Sequence, residues 1–256
     1  MKSNQKSILQ PEDNWDDHWK KYSDSASENP AQKYRFKLIL EELINFKDEK
    51  SLKILDIGCG QGDLLLAIQN LFPDFNLMGL ELSQKGVDIV KGKTGAANIF
   101  QADLLNYSDE LKQYHGWADV IICSEVLEHV NDPALFLKTS LLFLKTKGML
   151  IITVPGGPMS SFDKIIGHRQ HFNKASILHL FNNADIKNLK IHLSGFPWHN
   201  LYRLAVISRG EKLAEDVSRK LSWAALLLMR LFSFLFLFNL KNNRWGWQNF
   251  VVAWKE

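Results

Sequence analysis

Five short apolar runs, at 53–57, 75–82, 97–102, 118–123 and 148–154, alternate with stretches of helical periodicity, and this alternation restricts the chain more than any other feature. Runs rich in Ile, Leu and Val have to be covered on both faces, and parallel strands have to be joined by crossovers; helices between the runs meet both needs. The pattern predicts an α/β, doubly wound sheet. The helix after the first run, "LLLAIQNLF", is expected to be capped by Asp63 and closed by Pro73, and "NKASILHLFNNA" at 173–184 to start on Asn173. Two later runs, "LKIHLSGF" at 189–196 and "NFVVAWKE" at 249–256, read as further strands.

Ahead of the sheet lies a polar arm rich in Trp, Asp and Lys, then a helix near 31–46 with Phe36, Ile39, Leu40 and Leu43 on one face. Charge excludes some partners. With 31 basic and 28 acidic residues, net +3, the balance is too even for nucleic acid, though compatible with mild attraction to an anionic surface. The start, "MKSNQKSILQPEDNWDDHWKK", has no apolar core of signal-peptide length, so the cytoplasm is the expected location. Two cysteines, Cys59 and Cys123, cannot make a disulfide framework or a structural zinc site, and both are expected to be reduced.

The chemistry gathers at the ends of the first four strands. "ILDIGCGQGD", 54–63, runs an apolar strand into Gly58, Gly60 and Gly62, which remove side chains where the backbone must turn and admit a ligand to a helix N-terminus. The spacing is G-x-G-x-G, and Leu65 stands where a third glycine of the dinucleotide pattern would fall, which disfavours a nicotinamide cofactor. Nineteen residues after Gly62, Glu81 ends the second strand, where a carboxylate can accept from both hydroxyls of a ribose. Asp103 ends the third, where a carboxylate can accept from an adenine amino group. "ADVIICSEVLEHVNDP", 118–133, leads a buried strand into Ser124, Glu125 and His129.

The ordered set "LDIGCGQG", Glu81, "QADLL", "SEVLEHVNDP" and "GMLIITVP" resembles the class I S-adenosylmethionine-dependent methyltransferases, and "SEVLEHVNDP" followed by "TVP" is similar to the group that includes the ubiquinone-biosynthesis O-methyltransferases. The resemblance covers roughly 50–185. It implies a Rossmann-like seven-stranded sheet with an antiparallel last strand, 249–256, inserted beside the fifth. It also implies S-adenosyl-L-methionine as cofactor: Asp56, Gly58, Cys59, Gly60 and Gly62 around the methionine portion, Glu81 and Leu82 at the ribose, Asp103 and Leu104 at the adenine, Cys123 and Ser124 on the sulfonium side. "NPAQKYRFKLI" at 29–39 resembles the lid helix of related enzymes, from which Tyr34 or Arg35 would reach the methionine carboxylate.

A sulfonium is an activated donor, so such an enzyme mainly aligns the reactants and excludes water, with a base assisting an oxygen acceptor. "GHRQHF" at 167–172 supplies His168 and His171, of which His171 is expected to lie closer to the pocket, and His129 is a third candidate. Packing roles for these histidines stay open. No metal is expected, because no carboxylate or third ligand accompanies the pair at matching spacing.

"LSWAALLLMRLFSFLFLFNL", 221–240, is long enough as a helix, roughly 30 Å, to cross a bilayer. A crossing would strand 249–256 on the wrong side of the sheet it completes. Arg230 in the middle would also cost about 2.5 to 3.5 kcal/mol. The expectation is a helical hairpin, with the amphipathic 201–220, inserted between strands six and seven. Its cover is left open between the hairpin partner, a homodimer, a lipid-like substrate and a membrane surface. The expected organisation is therefore one domain over 1–256, with arm and lid at 1–50, cofactor core at 51–198, apolar insertion at 199–247 and last strand at 248–256. Its expected function is methylation, most simply of an oxygen, on a small or lipid-linked acceptor. A catalytically silent binding or scaffold protein at a membrane surface, peripheral to it, is the alternative.

Overall fold

The computed structural model describes residues 14–95, 98–213 and 222–256. Among them a seven-stranded sheet runs in the order β3-β2-β1-β4-β5-β7-β6. Its members are β1 Lys53–Ile57, β2 Asn76–Glu81, β3 Ile99–Gln101, β4 Ala118–Ser124, β5 Leu144–Pro155, β6 Ile186–Ser194 and β7 Gln248–Lys255. The first five strands pair in parallel, and β7 pairs antiparallel with both β5 and β6. Strand order reverses between β1 and β4, which opens a crevice at their carboxyl ends. The doubly wound fold with an antiparallel last strand is the one the sequence predicts. The third apolar run begins at 97, which lies outside the described residues, and β5 begins four residues before its run, directly after its helix.

The helices are α1 Trp15–Glu28, α2 Pro30–Leu43, α3 Asp63–Leu71, α4 Gln84–Thr94, α5 Pro133–Phe143, α6 Ser161–Ile165, α7 Lys174–Phe181, α8 Trp198–Arg209 and α9 Trp223–Leu235. Among the described residues two large cores form, one on each face, with a smaller cluster of Cys59, Leu65, Val87, Val90 and Ile99 beside them. Leu55, Ile57, Ile121, Cys123 and Ile152 point to one side, with α5 and α7 over them; Ile54, Val120, Ile122, Ile151 and Phe250 point to the other, under α2 and α3. This alternation is the period of two in a strand buried on both faces.

Caps decide several helix starts. Asn173 caps α7 reciprocally with Ser176, as expected. Asp63 is not a cap: Gly62, at φ +78°, holds that position, and Asp63 is the first helical residue, ion-paired to Lys93 at 2.6 Å. The polar arm, read without an element, contains α1. The helix likened to a lid, α2, packs Leu38, Ile39 and Leu43 into the second core. Between β6 and β7 lie α8 and α9, touching through Tyr202 and Phe232 at 5.3 Å between ring centroids. Residues 214–221 of the expected hairpin fall outside the described residues. No helix among the described residues is long and apolar enough to cross a membrane.

Candidate active site

A cavity of about 1280 Å3 opens over the carboxyl ends of β1, β2 and β4. Its floor at one end is the glycine loop. The Gly58 and Cys59 amides both donate to the Leu80 carbonyl, at 2.8 and 3.1 Å, folding the loop back over β2. Both Gly58 and Gly60 have positive φ, and a Cβ would fall 2.5 Å from Val126 at the first and 2.8 Å from the Trp19 ring at the second. The loop therefore takes only glycine there.

Glu81 sits at the centre of this end. Its Oε2 accepts from the Gly60 amide at 2.9 Å, and its Oε1 from the Ser83 amide at 3.0 Å and the Trp19 indole N–H at 3.4 Å. Burial raises the Glu81 pKa against the pull of these donors. Asp56 is pushed to about 7, first by burial and then by the Glu81 charge. Helix α1 closes this end as a cover: besides Trp19, its Asp16 accepts from Ser83 Oγ at 2.5 Å and the Lys85 amide at 3.0 Å. Leu82, Asp103 and Leu104 line the same end, with one Asp103 oxygen taken by the Leu105 amide at 3.0 Å.

The other end is a chain of histidines. His171 Nδ1 lies 3.1 Å from the Gly157 carbonyl, and His171 Nε2 lies 3.1 Å from His168 Nδ1. A carbonyl only accepts, so in neutral rings His171 Nδ1 carries the proton, His171 Nε2 accepts from His168 Nδ1, and His168 Nε2 is left with a free lone pair. Burial, then His129, takes His168 down to about 2, and burial takes His129 to about 4, so both are neutral at pH 7. His129 stands edge-on to His168 at 4.8 Å and to Trp15 at 4.8 Å. Behind the chain, Asp163 receives a bidentate fork from Arg203 at 3.0 and 2.8 Å and lies 3.8 Å from His171 Nε2. Burial works to raise the Asp163 pKa, but the Arg203 fork and the Ser160 cap prevail and hold it at about 2.

Glu128 is the opposite kind of acid: fully buried, with neither oxygen hydrogen-bonded. Burial, and then Glu125, hold it well above the usual carboxylate range. Glu125 takes φ +58° at the exit of β4 and meets Thr153 Oγ1 at 3.1 Å, Gln248 Nε2 at 2.9 Å and the Arg35 guanidinium at 3.5 Å.

Of the residues named from sequence, Arg35, Asp56, Gly58, Cys59, Gly60, Glu81, Leu82, Asp103, Leu104, Ser124, His129 and His168 line the cavity. Three do not. Gly62 turns against Val90, Cys123 is packed in the first core, and His171 stands behind His168, reversing the expected order of the two histidines. Tyr34 faces His199 and Phe236 and also misses the cavity. The expectation that no carboxylate accompanies the histidines is corrected too. Glu128, His129 and His168 form one group of potential ligands within 4.8 Å, and Asp163, His168 and His171 another.

Trp15, Trp19, Glu125, Glu128, Asp163 and Arg203 also build the site. Trp15 and Trp19, four apart in "NWDDHWKK", carried a helical signal, and Ser160 with Asp163 a capping-box signal. Arg203 carried none, since its partner is 40 residues away.

The family described as "Methyltransferase domain" matches residues 31–191. Ubiquinone biosynthesis O-methyltransferase of Rickettsia bellii is 31% identical over 139 residues, 53% of this chain and 55% of that protein. Its namesake in Pelagibacter ubique is 32% identical over 116 residues, 45% and 47% of the two chains. The chain thus spans about half the length of the curated relatives it matches. Among solved structures, a SAM-dependent methyltransferase from Archaeoglobus fulgidus superposes with a TM-score of 0.51 at 17% identity, covering 88% of this chain and 97% of that one. Phosphoethanolamine N-methyltransferase 2 of Haemonchus contortus, in complex with S-adenosyl-L-methionine, gives 0.53 at 20% identity, covering 80% and 49%. At such identities the likeness is one of fold.

Proposed function

The chain belongs to the methyltransferase-domain family, and on that premise we propose that it transfers the methyl group of S-adenosylmethionine to a hydroxyl oxygen of an acceptor held beside His168. One observation carries the reading: a single cavity joins Glu81 and the glycine loop to His168, the lining member of the histidine chain. The residues fit the cofactor. Glu81 is aimed by two backbone amides, Asp56 can face an ammonium, and Gly58 and Gly60 let the loop pass close under Val126 and Trp19, where a Cβ would clash. When bound there, the cofactor supplies an electrophilic methyl on sulfur, needing no further activation.

This chain's own part is to place the acceptor and take its proton. His168 Nε2, unprotonated in the tautomer fixed by Gly157 and His171, accepts the hydroxyl proton. So weak a base holds a proton briefly, and the hydrogen bond to His171 lets it pass toward Asp163, which Arg203 keeps ionised. Helix α1, with Trp15 and Trp19 lining the cavity, excludes water. The test is calorimetric titration with S-adenosylhomocysteine alongside labelled methyl transfer to a panel of dihydroxyphenols and sugar alcohols. Binding with transfer to oxygen is expected. Binding with no transfer to any acceptor in membrane extract would favour the silent alternative, and absence of binding would remove the cofactor assignment.

A further inference from the structure

Helix α9 is apolar on two opposite faces. At 100° per residue, Ala225, Met229 and Phe232 share one face, and Trp223, Leu227, Leu231 and Phe234 share the other; the 3-10 turn Phe236–Phe238 that continues the helix adds buried Phe236 to the first and exposed Phe238 to the second. The inner face is accounted for. Ala225, Met229 and Phe232 line the cavity, and Phe236 is buried against Tyr34, His199 and Tyr202. The outer face is bare: Trp223 is 80% exposed, and the other four lie between 52% and 61%. This stripe spans roughly 22 Å along the helix.

We propose that the outer stripe of α9 docks on an anionic lipid leaflet, lying in its plane. The charge around the stripe favours this occupant. Residues 222–255 contain no Asp or Glu, whereas Arg230 at the edge of the stripe and Arg244 beyond its end are both exposed. Trp223 begins the stripe, and Trp245, 51% exposed under the Arg244 guanidinium at 4.6 Å, stands past its end, the placing of aromatic and cationic groups at a bilayer interface. Arg230 can keep its stem on the apolar side and its guanidinium among phosphates. A second copy suits the face less well. Arg230 lies at the midpoint of the stripe, so two-fold pairing would bring two guanidinium groups to the same level, with no carboxylate from 222–255 of either copy to meet them. The same helix forms a cavity wall on its other side, so an apolar acceptor leaving the leaflet would meet the cavity directly. That consequence rests on the methyltransferase reading; the docking itself does not.

Cosedimentation of the full chain with vesicles of phosphatidylcholine, alone or mixed with phosphatidylglycerol, tests the docking. The unmodified chain is expected to pellet with the mixed vesicles. The triple variant Leu227→Ser, Leu231→Ser, Phe234→Ser should lose about 1000-fold in partitioning, at roughly tenfold per withdrawn side chain. Arg230→Glu should weaken binding to the mixed vesicles and not to neutral ones. Unchanged S-adenosylhomocysteine affinity in both variants reports an intact fold and separates this result from any failure of the cofactor assignment. Failure of the unmodified chain to pellet overturns the proposal. So does a triple variant that pellets equally well, or a concentration-dependent dimer abolished by the triple variant without vesicles.

Discussion

The floor of the cavity and its roof are built differently. The floor consists of the ends of β1, β2 and β4, whose residues are buried on both faces and tied together by backbone hydrogen bonds. The roof is α1, α8 and α9, helices with exposed faces, joined to the rest mainly through side chains: Trp19 and Asp16 to Glu81 and Ser83, Arg203 to Asp163, Tyr202 to Asn29, and Phe236, just past α9, to Tyr34. A floor fixed by backbone holds its groups in place without a ligand. A roof pinned by side chains can open at the cost of a few contacts, as an enzyme must if bulky molecules are to enter a site closed to water.

If that contrast is correct, equal truncations will have very unequal effects. Phe250→Ala, in the fully buried centre of β7, should lower unfolding free energy by about 3 to 5 kcal/mol in urea titration. A loss below about 1 kcal/mol would mean that the sheet is not the rigid half. On the side of the chemistry, His168→Gln should reduce turnover by about 10² or more with S-adenosylhomocysteine affinity unchanged. His171→Gln should be milder, since it removes the relay and leaves the lining ring in place. A larger effect for His171 would break the tautomer chain.

Glu81→Ala is next in size. It removes the acceptor expected for a ribose and strands the Gly60 and Ser83 amides, so S-adenosylhomocysteine binding should weaken by about 1.5 to 3 kcal/mol. Smaller still is a pH effect. Asp56 is raised to about 7, so below that pH it is protonated, and an incoming ammonium, which favours the carboxylate, must displace a proton. Affinity for S-adenosylhomocysteine should fall by up to about tenfold per pH unit below 7 and level off above it. Turnover at saturating cofactor should lack a limb at 6.5, because His168 and His129 titrate at about 2 and 4. Asp56→Asn should flatten the affinity profile. Least of all, Phe234→Ser on the bare face of α9 should shift stability by no more than about 0.5 kcal/mol, and a large loss would show that the face is covered after all.

The same division separates what was legible in the sequence. Continuous apolar runs and the glycine loop are local signals, and they sufficed for the strands and for Glu81 and Asp103 near strand ends, because a strand end fixes where its next residue goes; Asp56 came from the family resemblance. Asp63 was misread as a cap because Gly62, in the left-handed region, takes the cap position itself. Trp15 and Trp19 stood in a segment whose polar composition hid its helix.

What the chain determined by itself was therefore the sheet and the floor beneath the cavity, since hydrophobic period and glycine placement act over a few residues. Only the tertiary structure decided the other end. Glu128 meets His168, Asp163 meets Arg203, and α9 acquires one covered and one bare face, through contacts that join elements far apart in the sequence. Whether His168 or His171 faces the cavity followed from the Gly157 carbonyl, 14 residues from His171, which holds the outer ring back and leaves the inner one to line it. Such pairings depend on how layers stack, and no spacing along the chain records that.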